Sequence, residues 1–189
     1  MDAMEAIYGR RAIRAFTAAP LSREDVEKVI AAAVQAPSAM NSQPWAFAVV
    51  TGRDALARCA DSAKAHLLAT LEQGTPLAKY RDILADAAFD IFYGAPALVI
   101  VCAKPEGLHA VEDCCLAAQN LMLAAHASGL GTCWVGFARP WLELEETKRE
   151  IGIPVAYAPV APIILGHPRE RPEAPPRKAP EIHWHGGRA

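Results

Sequence analysis

One segment of ten residues, 36–45, constrains the fold of this chain more than any other. Pro37 ends the helical pattern that precedes it, because proline has no amide hydrogen to donate to a helix. The next residues are small or polar and typical of a turn, and Pro44 leads into the apolar run 45–51, which has strand character. The segment predicts a helix, a polar turn and a strand in immediate succession, with the strand at a central, covered position.

Helical and strand patterns alternate along the rest of the chain. Ser22 is a good N-cap, and apolar residues recur at helical spacing from there to Pro37. Gly129 follows a long helical pattern, and we expect it to be the left-handed residue at the C-terminus of that helix. The predicted helices are 4–8, 22–36, 53–92 with a break at 74–76, 108–128 and 141–151, and the predicted strands are 45–51, 97–102, 132–137 and 156–165.

Composition excludes several classes of protein. The 189 residues suffice for one domain with a sizeable core, and 52% of them are hydrophobic. A formal net charge of -2 argues against binding of nucleic acid through its phosphates. We expect a soluble cytoplasmic protein, because no membrane-spanning apolar run and no signal peptide are apparent. Five cysteines without a Cys-x-x-Cys pair favour neither a disulfide framework nor a zinc site, and we expect no metal.

Three arginines, Arg10, Arg11 and Arg14, lie within five residues near a predicted helix end. In an extended segment Arg10, Ala12 and Arg14 would share one face while Arg11 points away. Two guanidinium groups on one face can bind a terminal phosphate between them. The alternative is a solvated basic turn that pairs with surface carboxylates. The polar turn before Trp45 offers small side chains, backbone amides and carboxamides. Such a surface suits a flat polar ring, which would complement a phosphate site at the arginines.

The chain ends in a proline-rich arm. Five prolines and four basic residues lie between residues 168 and 180, a composition that predicts an extended segment unable to bury a face of its own. Ile182 and Trp184 near its end are apolar, so we expect docking on a second subunit rather than disorder. The predicted organisation is one domain, 1–168, followed by an arm, 169–189, that docks on the partner subunit.

Several motifs occur in an order that resembles the nitroreductase family of FMN flavoproteins. Each motif is short, but together they span nearly the whole chain. By contrast, the glycines at 129–136 lead from a helix into a strand, the reverse of a Rossmann turn, and no P-loop or Gly-x-Ser-x-Gly elbow occurs. The motifs are Arg-Arg-x-x-Arg, Pro-Ser-x-x-Asn-x-Gln-Pro-Trp-x-Phe from Pro37, Gly-Ala-Pro from Gly94, Gly-Leu-Gly-Thr-Cys-Trp-Val-Gly from Gly129 and Gly-His-Pro from Gly166.

The resemblance implies an α+β, nitroreductase-like fold with a central, mainly antiparallel sheet of four to five strands flanked by helices. It also implies an intertwined homodimer with FMN in each of two interface sites. The basic segment would hold the phosphate, ribityl chain and ring edge, the polar turn would come from the neighbouring subunit, and the third strand would run beside the isoalloxazine with a backbone amide directed at N5. The implied cofactor-binding residues are Arg10, Arg11, Ala12 and Arg14; Pro37, Ser38, Ala39 and Asn41 from the partner; Trp134, Val135 and Gly136; and Arg177 and Lys178 from the arm, beside the phosphate.

The activity implied by the resemblance is that of an NAD(P)H-dependent oxidoreductase. Hydride would pass from NAD(P)H through flavin N5 to a nitroaromatic, quinone or similar small acceptor by a ping-pong mechanism. No catalytic side chain is implied, because the cofactor carries the chemistry. One alternative is a flavin-binding or storage protein with little turnover. Another is a flavin-consuming or dehalogenating enzyme, and the short middle region argues against this second alternative.

Two features depart from the family pattern. Ala12 offers only backbone groups where many members have a hydroxylated residue. Residues 51–92 contain no asparagine, although many members supply one from this region to the pyrimidine edge of the flavin. The chain is also short for the family, so we expect a reduced lid and a broad, open acceptor site.

Overall fold

The computed structural model describes residues 1–186. These residues form a four-stranded sheet with helices on both faces. Capping boxes begin the first two helices, where Asp2 and Ser22 each accept a backbone N–H of the first turn. None of the helices within residues 1–186 is long and apolar enough to cross a membrane. The helices are α1 (Ala3–Gly9), α2 (Arg23–Ala33), α3 (Arg53–Thr70), α4 (Arg81–Ala85), α5 (Ala110–Ala127), α6 (Arg139–Leu142) and α7 (Glu145–Glu150), and the strands are β1 (Trp45–Thr51), β2 (Ala97–Ala103), β3 (Gly131–Trp134) and β4 (Ala158–Gly166).

The strand order is β1-β2-β4-β3, and every pair is antiparallel. The expected antiparallel sheet flanked by helices is therefore confirmed. The expected central position of β1 is wrong, because within the described residues this strand pairs with β2 alone. Its apolar composition has another cause: Phe47 packs on one face of the sheet while Ala48 and Val50 pack on the other. Burial of two faces does not require a neighbour at both edges.

Two hydrophobic clusters lie on opposite faces of the sheet. Val99 and Val101 of β2 pack on the side of α2 and α5, whereas Leu98 and Ile100 pack on the side of α3 and α6. All seven residues of β2 are buried, since helices cover both faces of this central strand. The sheet and α5 therefore form a rigid frame on which the connecting segments are placed.

Three predicted elements are shorter or more broken than expected. The helical region predicted over 53–92 contains only the α-helices α3 and α4, and residues 86–92 are not helical. The third strand ends at Trp134 instead of residue 137, because a 3-10 turn over Gly136–Ala138 leads directly into α6. The predicted helix 141–151 is divided between α6 and α7, with an extended residue, Leu144, between them. By contrast, Gly129 follows α5 with φ of 81°, which confirms the predicted left-handed residue.

The segment after α1 runs along the outer edge of β3. The N–H of Ile13 donates to the carbonyl of Thr132 at 2.9 Å. The two backbone segments approach so closely that a Cβ on Gly131 would lie 2.7 Å from Ile13 Cγ1. Farther along, the N–H of Arg169 donates to the carbonyl of Ala15 at 2.9 Å. These bridges hold the N-terminal arginines and the start of the arm beside the same edge of the sheet.

Candidate functional site

The three N-terminal arginines line a cleft of about 370 Å³ between the N-terminal segment and the arm. The arm returns past this segment and contributes a fourth arginine, Arg177, which lies far away in the chain. We call this space the arginine cleft. Its lining residues are Arg10, Arg11, Ala12, Arg14, Pro172, Glu173, Pro175 and Arg177.

Positive charge in the arginine cleft is not neutralised by ion pairs. Among the salt bridges within residues 1–186, none involves these four arginines, and Glu173 is the one carboxylate that lines the cleft. Burial, followed by the charges of Arg11 and Arg177, lowers the pKa of Arg10. Arg11 is held by backbone instead, since its Nη1 donates to the carbonyl of Tyr8 at 2.6 Å. Clustered, preorganised guanidinium groups of this kind suit a compact anion such as a phosphate.

A second space of about 320 Å³ adjoins the arginine cleft through Arg14, which lines both. We call it the aromatic slot. The guanidinium carbon of Arg14 lies 6.0 Å from the centroid of the Tyr93 ring. Burial raises the pKa of Tyr93 and of Cys133, so both stay neutral at neutral pH and Arg14 is the charged residue of the slot. Its lining residues are Arg14, Leu77, Tyr93, Cys133, Trp134, Val135, Gly136 and Phe137.

Backbone amides at one wall of the aromatic slot differ in their availability. The N–H of Val135 donates to the carbonyl of Pro162 at 2.8 Å. Gly136 begins the 3-10 turn, and its N–H has no acceptor among the described residues. A free backbone donor therefore lies beside an apolar slot whose other end carries the arginines, an arrangement that suits a planar polar ring bearing a phosphate tail.

The polar turn that follows α2 lies elsewhere. None of residues 37–41 lines the arginine cleft or the aromatic slot. The N–H of Ala39 donates to Asp113 of α5 at 3.1 Å, and Ser38 Oγ accepts the N–H of Gln43 at 3.0 Å. Met40 at its tip is fully exposed. Within one chain, the turn is fastened to α5 and does not meet the arginines.

The structure therefore divides the residues singled out from the sequence into two groups. The arginine cleft and the aromatic slot bring together Arg10, Arg11, Ala12, Arg14, Trp134, Val135, Gly136 and Arg177. Pro37, Ser38, Ala39 and Asn41 lie apart, and Lys178 is exposed and lines neither space.

Sequence reasoning missed several residues around these spaces. Tyr93 lines the aromatic slot with an unusual φ of 54°, and its only signal was the neighbouring Gly-Ala-Pro motif. His126 and Arg171 lie close together beside the arginine cleft, 45 residues apart in the chain. A histidine on the apolar face of the predicted helix 108–128 was the available signal for that contact.

Comparison with known proteins identifies a matching family model, relatives in sequence and a similar solved structure. A family model described as the nitroreductase family matches residues 7–167. The chain is 33% identical to a Methanothermobacter thermautotrophicus protein provisionally named NADH dehydrogenase/NAD(P)H nitroreductase, over 91% of this chain and 80% of that protein. It is 29% identical to a 5,6-dimethylbenzimidazole synthase of Rhodospirillum rubrum, over 99% and 91%. A solved nitroreductase with bound FMN from Desulfitobacterium hafniense matches with a TM-score of 0.76 and 27% identity, over 95% and 97%.

Proposed function

Because this chain belongs to the nitroreductase family, we propose that it is an FMN-dependent oxidoreductase that uses NAD(P)H. Nitroaromatics, quinones or similar small molecules are the proposed acceptors, reached by a ping-pong mechanism. The observation that carries the proposal is that Arg14 joins a cleft of four unpaired arginines to an apolar slot. A phosphate at one end and a flat ring at the other would match that arrangement.

The residues of these two spaces fit FMN. Arg10, Arg11 and Arg177 would bind the phosphate, and Arg14 would lie between the phosphate and the ring. Trp134 to Gly136 would follow the ring, with the Gly136 N–H as the donor, since the N–H of Val135 is already bonded to Pro162. Lys178 would be a weaker contributor, because it lines neither space. Bound FMN would supply hydride acceptance and donation at N5, and the protein would supply position and charge.

We propose that the functional unit is a homodimer. Pro37, Ser38, Ala39 and Asn41 would reach the flavin of the partner subunit, which explains why the turn is built rigidly yet lies outside both spaces of its own chain. A groove of about 430 Å³ runs between α2 and the unpaired edge of β1, and we call it the edge groove. Its apolar lining includes Leu21, Val26, Ile30 and Val49.

The arm would dock on the partner subunit at this groove. Ile182 is 60% exposed and Trp184 is 84% exposed, so the end of the arm presents apolar bulk that its own chain does not cover. The edge groove presents both apolar side chains and an unpaired strand edge, which an extended segment can complete. The two features are complementary in chemistry, because both present exposed apolar side chains.

The visible spectrum of the purified protein is the first test. We expect the absorption bands of oxidised flavin, with FMN released on denaturation, and a colourless protein that takes up no added FMN would refute the proposal. Arg10→Ala should lose flavin during purification. The matched control is Arg149→Ala, which removes an arginine from an exposed ion pair with Glu145 on α7.

A second experiment separates the enzyme from a flavin-storage protein. Adding NADPH or NADH without oxygen should bleach the flavin within seconds to minutes if the protein is an oxidoreductase of this type. Re-oxidation on adding a quinone or a nitroaromatic would identify the acceptor class. Flavin that stays oxidised with both nicotinamides would favour storage, and destruction of the flavin ring on exposure to oxygen would favour a flavin-consuming reaction instead.

A further inference from the structure

The side chain of His126 connects the last turn of α5 to the base of the arm. It is 7% exposed, and its Nδ1 lies 2.7 Å from Nη1 of Arg171. Nη2 of the same guanidinium donates to the carbonyl of Gly129 at 3.2 Å. Arg171 therefore binds two acceptors at the C-terminal end of α5, where the carbonyl groups carry partial negative charge.

The protonation state of His126 follows from this contact. A guanidinium has only donors and stays protonated, so Nδ1 of His126 must be the acceptor and carry no proton. The ring is packed tightly on its other side, because a Cβ on Gly9 would lie 2.8 Å from Nε2. The contact thus requires a neutral imidazole in a position set by α1 and α5.

The arm beyond Arg171 is stiff and leads to the arginine cleft. Pro172 follows Arg171 directly, and Pro172, Glu173, Pro175 and Arg177 all line the cleft. Prolines restrict the backbone, so the position of Arg171 limits where Arg177 can lie. The base of the arm is thereby coupled to the fourth arginine of the cleft.

We infer that His126 and Arg171 are positioning residues, which lock the base of the arm so that Arg177 joins Arg10 and Arg11 at the FMN phosphate, and that protonation of His126 opens this lock. The inference rests on the proposed function for its ligand. The lock itself is a property of the apoprotein and has its own readout.

The charges around His126 give the lock its pH dependence. Arg10 and Arg11 face the ring from the N-terminal segment and Arg171 faces it from the arm, and burial together with these three charges lowers the pKa of His126. A proton on Nδ1 would remove the acceptor of Arg171 and add a fourth charge to the group. The lock is therefore closed near neutral pH and opens as the pH falls below the usual range for histidine.

Affinity measurements on the full-length apoprotein test the coupling. At pH 7.5 we expect Arg171→Ala to raise the Kd for FMN roughly tenfold to a hundredfold, and to leave the Kd for riboflavin, which lacks the phosphate, nearly unchanged. Because Arg171 acts through Arg177, the double variant Arg171→Ala/Arg177→Ala should bind FMN no more weakly than Arg177→Ala alone. Equal losses for FMN and riboflavin, or additive losses in the double variant, would overturn the inference.

The role of protonation is tested with His126→Asn, whose side-chain oxygen supplies an uncharged acceptor near the position of Nδ1. Lowering the pH from 7.5 to about 5 should weaken FMN binding more in the wild-type protein than in this variant, and titration of the FMN phosphate itself cancels in the comparison. Equal pH dependence in both proteins would refute the switch.

The rate of tryptic cleavage after Arg177 in the apoprotein reports whether the arm is held in place, without any ligand. Arg171→Ala should accelerate this cleavage, and Arg149→Ala should not. If wild-type protein binds no FMN, the proposed function fails, and the cleavage rates still decide whether Arg171 holds the arm. Unchanged cleavage in Arg171→Ala would overturn the inference.

Discussion

The carboxylate of Asp113 on α5 accepts the backbone N–H of Ala39 through both oxygens, at 3.1 and 3.3 Å. Asp113 is 4% exposed, so a buried side chain of α5 fastens a surface turn. That turn contains three non-glycine residues with positive φ, Met40, Asn41 and Gln43. Each such residue costs about 1 kcal/mol, so the conformation persists only where other contacts hold it.

Removing this carboxylate should loosen the turn. We expect Asp113→Ala to lower the free energy of unfolding by about 1–3 kcal/mol, because it leaves the half-buried N–H of Ala39 without its partner. Asp113→Asn keeps an acceptor and should lose less. Denaturant unfolding measures both variants, and identical stabilities for the two would show that the hydrogen bond to Ala39 is unimportant.

Binding of a phosphate by the arginine cleft predicts a strong dependence on salt. Arg10→Ala should raise the Kd for FMN by roughly 10- to 100-fold and flatten its dependence on ionic strength, since a charged contact is lost. Riboflavin affinity should change little. Titrations at two salt concentrations, with Arg149→Ala as the matched arginine control, measure this effect. Equal weakening of FMN by both substitutions would contradict a specific phosphate contact.

We expect the edge groove to be a site of contact between the two subunits. Val49 of β1 is 41% exposed in the single chain, and we expect Val49→Asp to weaken the proposed homodimer roughly tenfold or more, because a carboxylate would be buried against the partner's arm. Trp184→Ala should act in the same direction.

Sedimentation across a range of protein concentrations measures this equilibrium. Val155→Asp is the control, because Val155 is 36% exposed and lies outside the lining of the groove. A wild-type protein that sediments as a monomer at micromolar concentration would refute the dimer.

Close approach of two backbone segments makes Gly131 sensitive to substitution. An added Cβ would lie 2.7 Å from Ile13 Cγ1, so Gly131→Ala should cost about 1–3 kcal/mol of folding free energy and displace the segment that carries the arginines. A Cβ at Gly136 would meet no atom within 4 Å, so Gly136→Ala should unfold at nearly the wild-type denaturant concentration. Comparable midpoints for the two variants would argue against the close contact.

Two of the five cysteines should be inert in the folded protein. Burial raises the pKa of Cys102 and of Cys114 to about 12, so their reactive thiolate forms are almost absent at pH 8. With a chromogenic disulfide reagent, the partly exposed Cys59 and Cys115 should react first, and all five thiols should react only after unfolding. Five fast equivalents in the native protein would contradict the described burial.

Local patterns predicted much of the fold and part of the site. The bounds of β1 and the left-handed Gly129 follow from side-chain periodicity and from glycine's freedom at positive φ. Arg10, Arg11 and Arg14 were recognisable because they lie within five residues of the sequence. The edge position of β1 was not, because hydrophobicity reports how many faces of a strand are covered and does not report which strands pair. The early end of β3 was also missed, since the apolar residues after Trp134 are buried in a turn that periodicity does not distinguish from a strand.

By itself, the sequence determined which segments are helical or extended and which basic and polar residues lie close together along the chain. Only the tertiary structure decided that Arg14 belongs to two spaces at once, and that the arm returns so that Arg177 joins Arg10. The same holds for the contact between Arg171 and His126, which are 45 residues apart. The physical reason is that local preference depends on neighbours in the chain, whereas these contacts arise when distant segments are brought together by burial of the two cores and by backbone hydrogen bonds at the edge of β3.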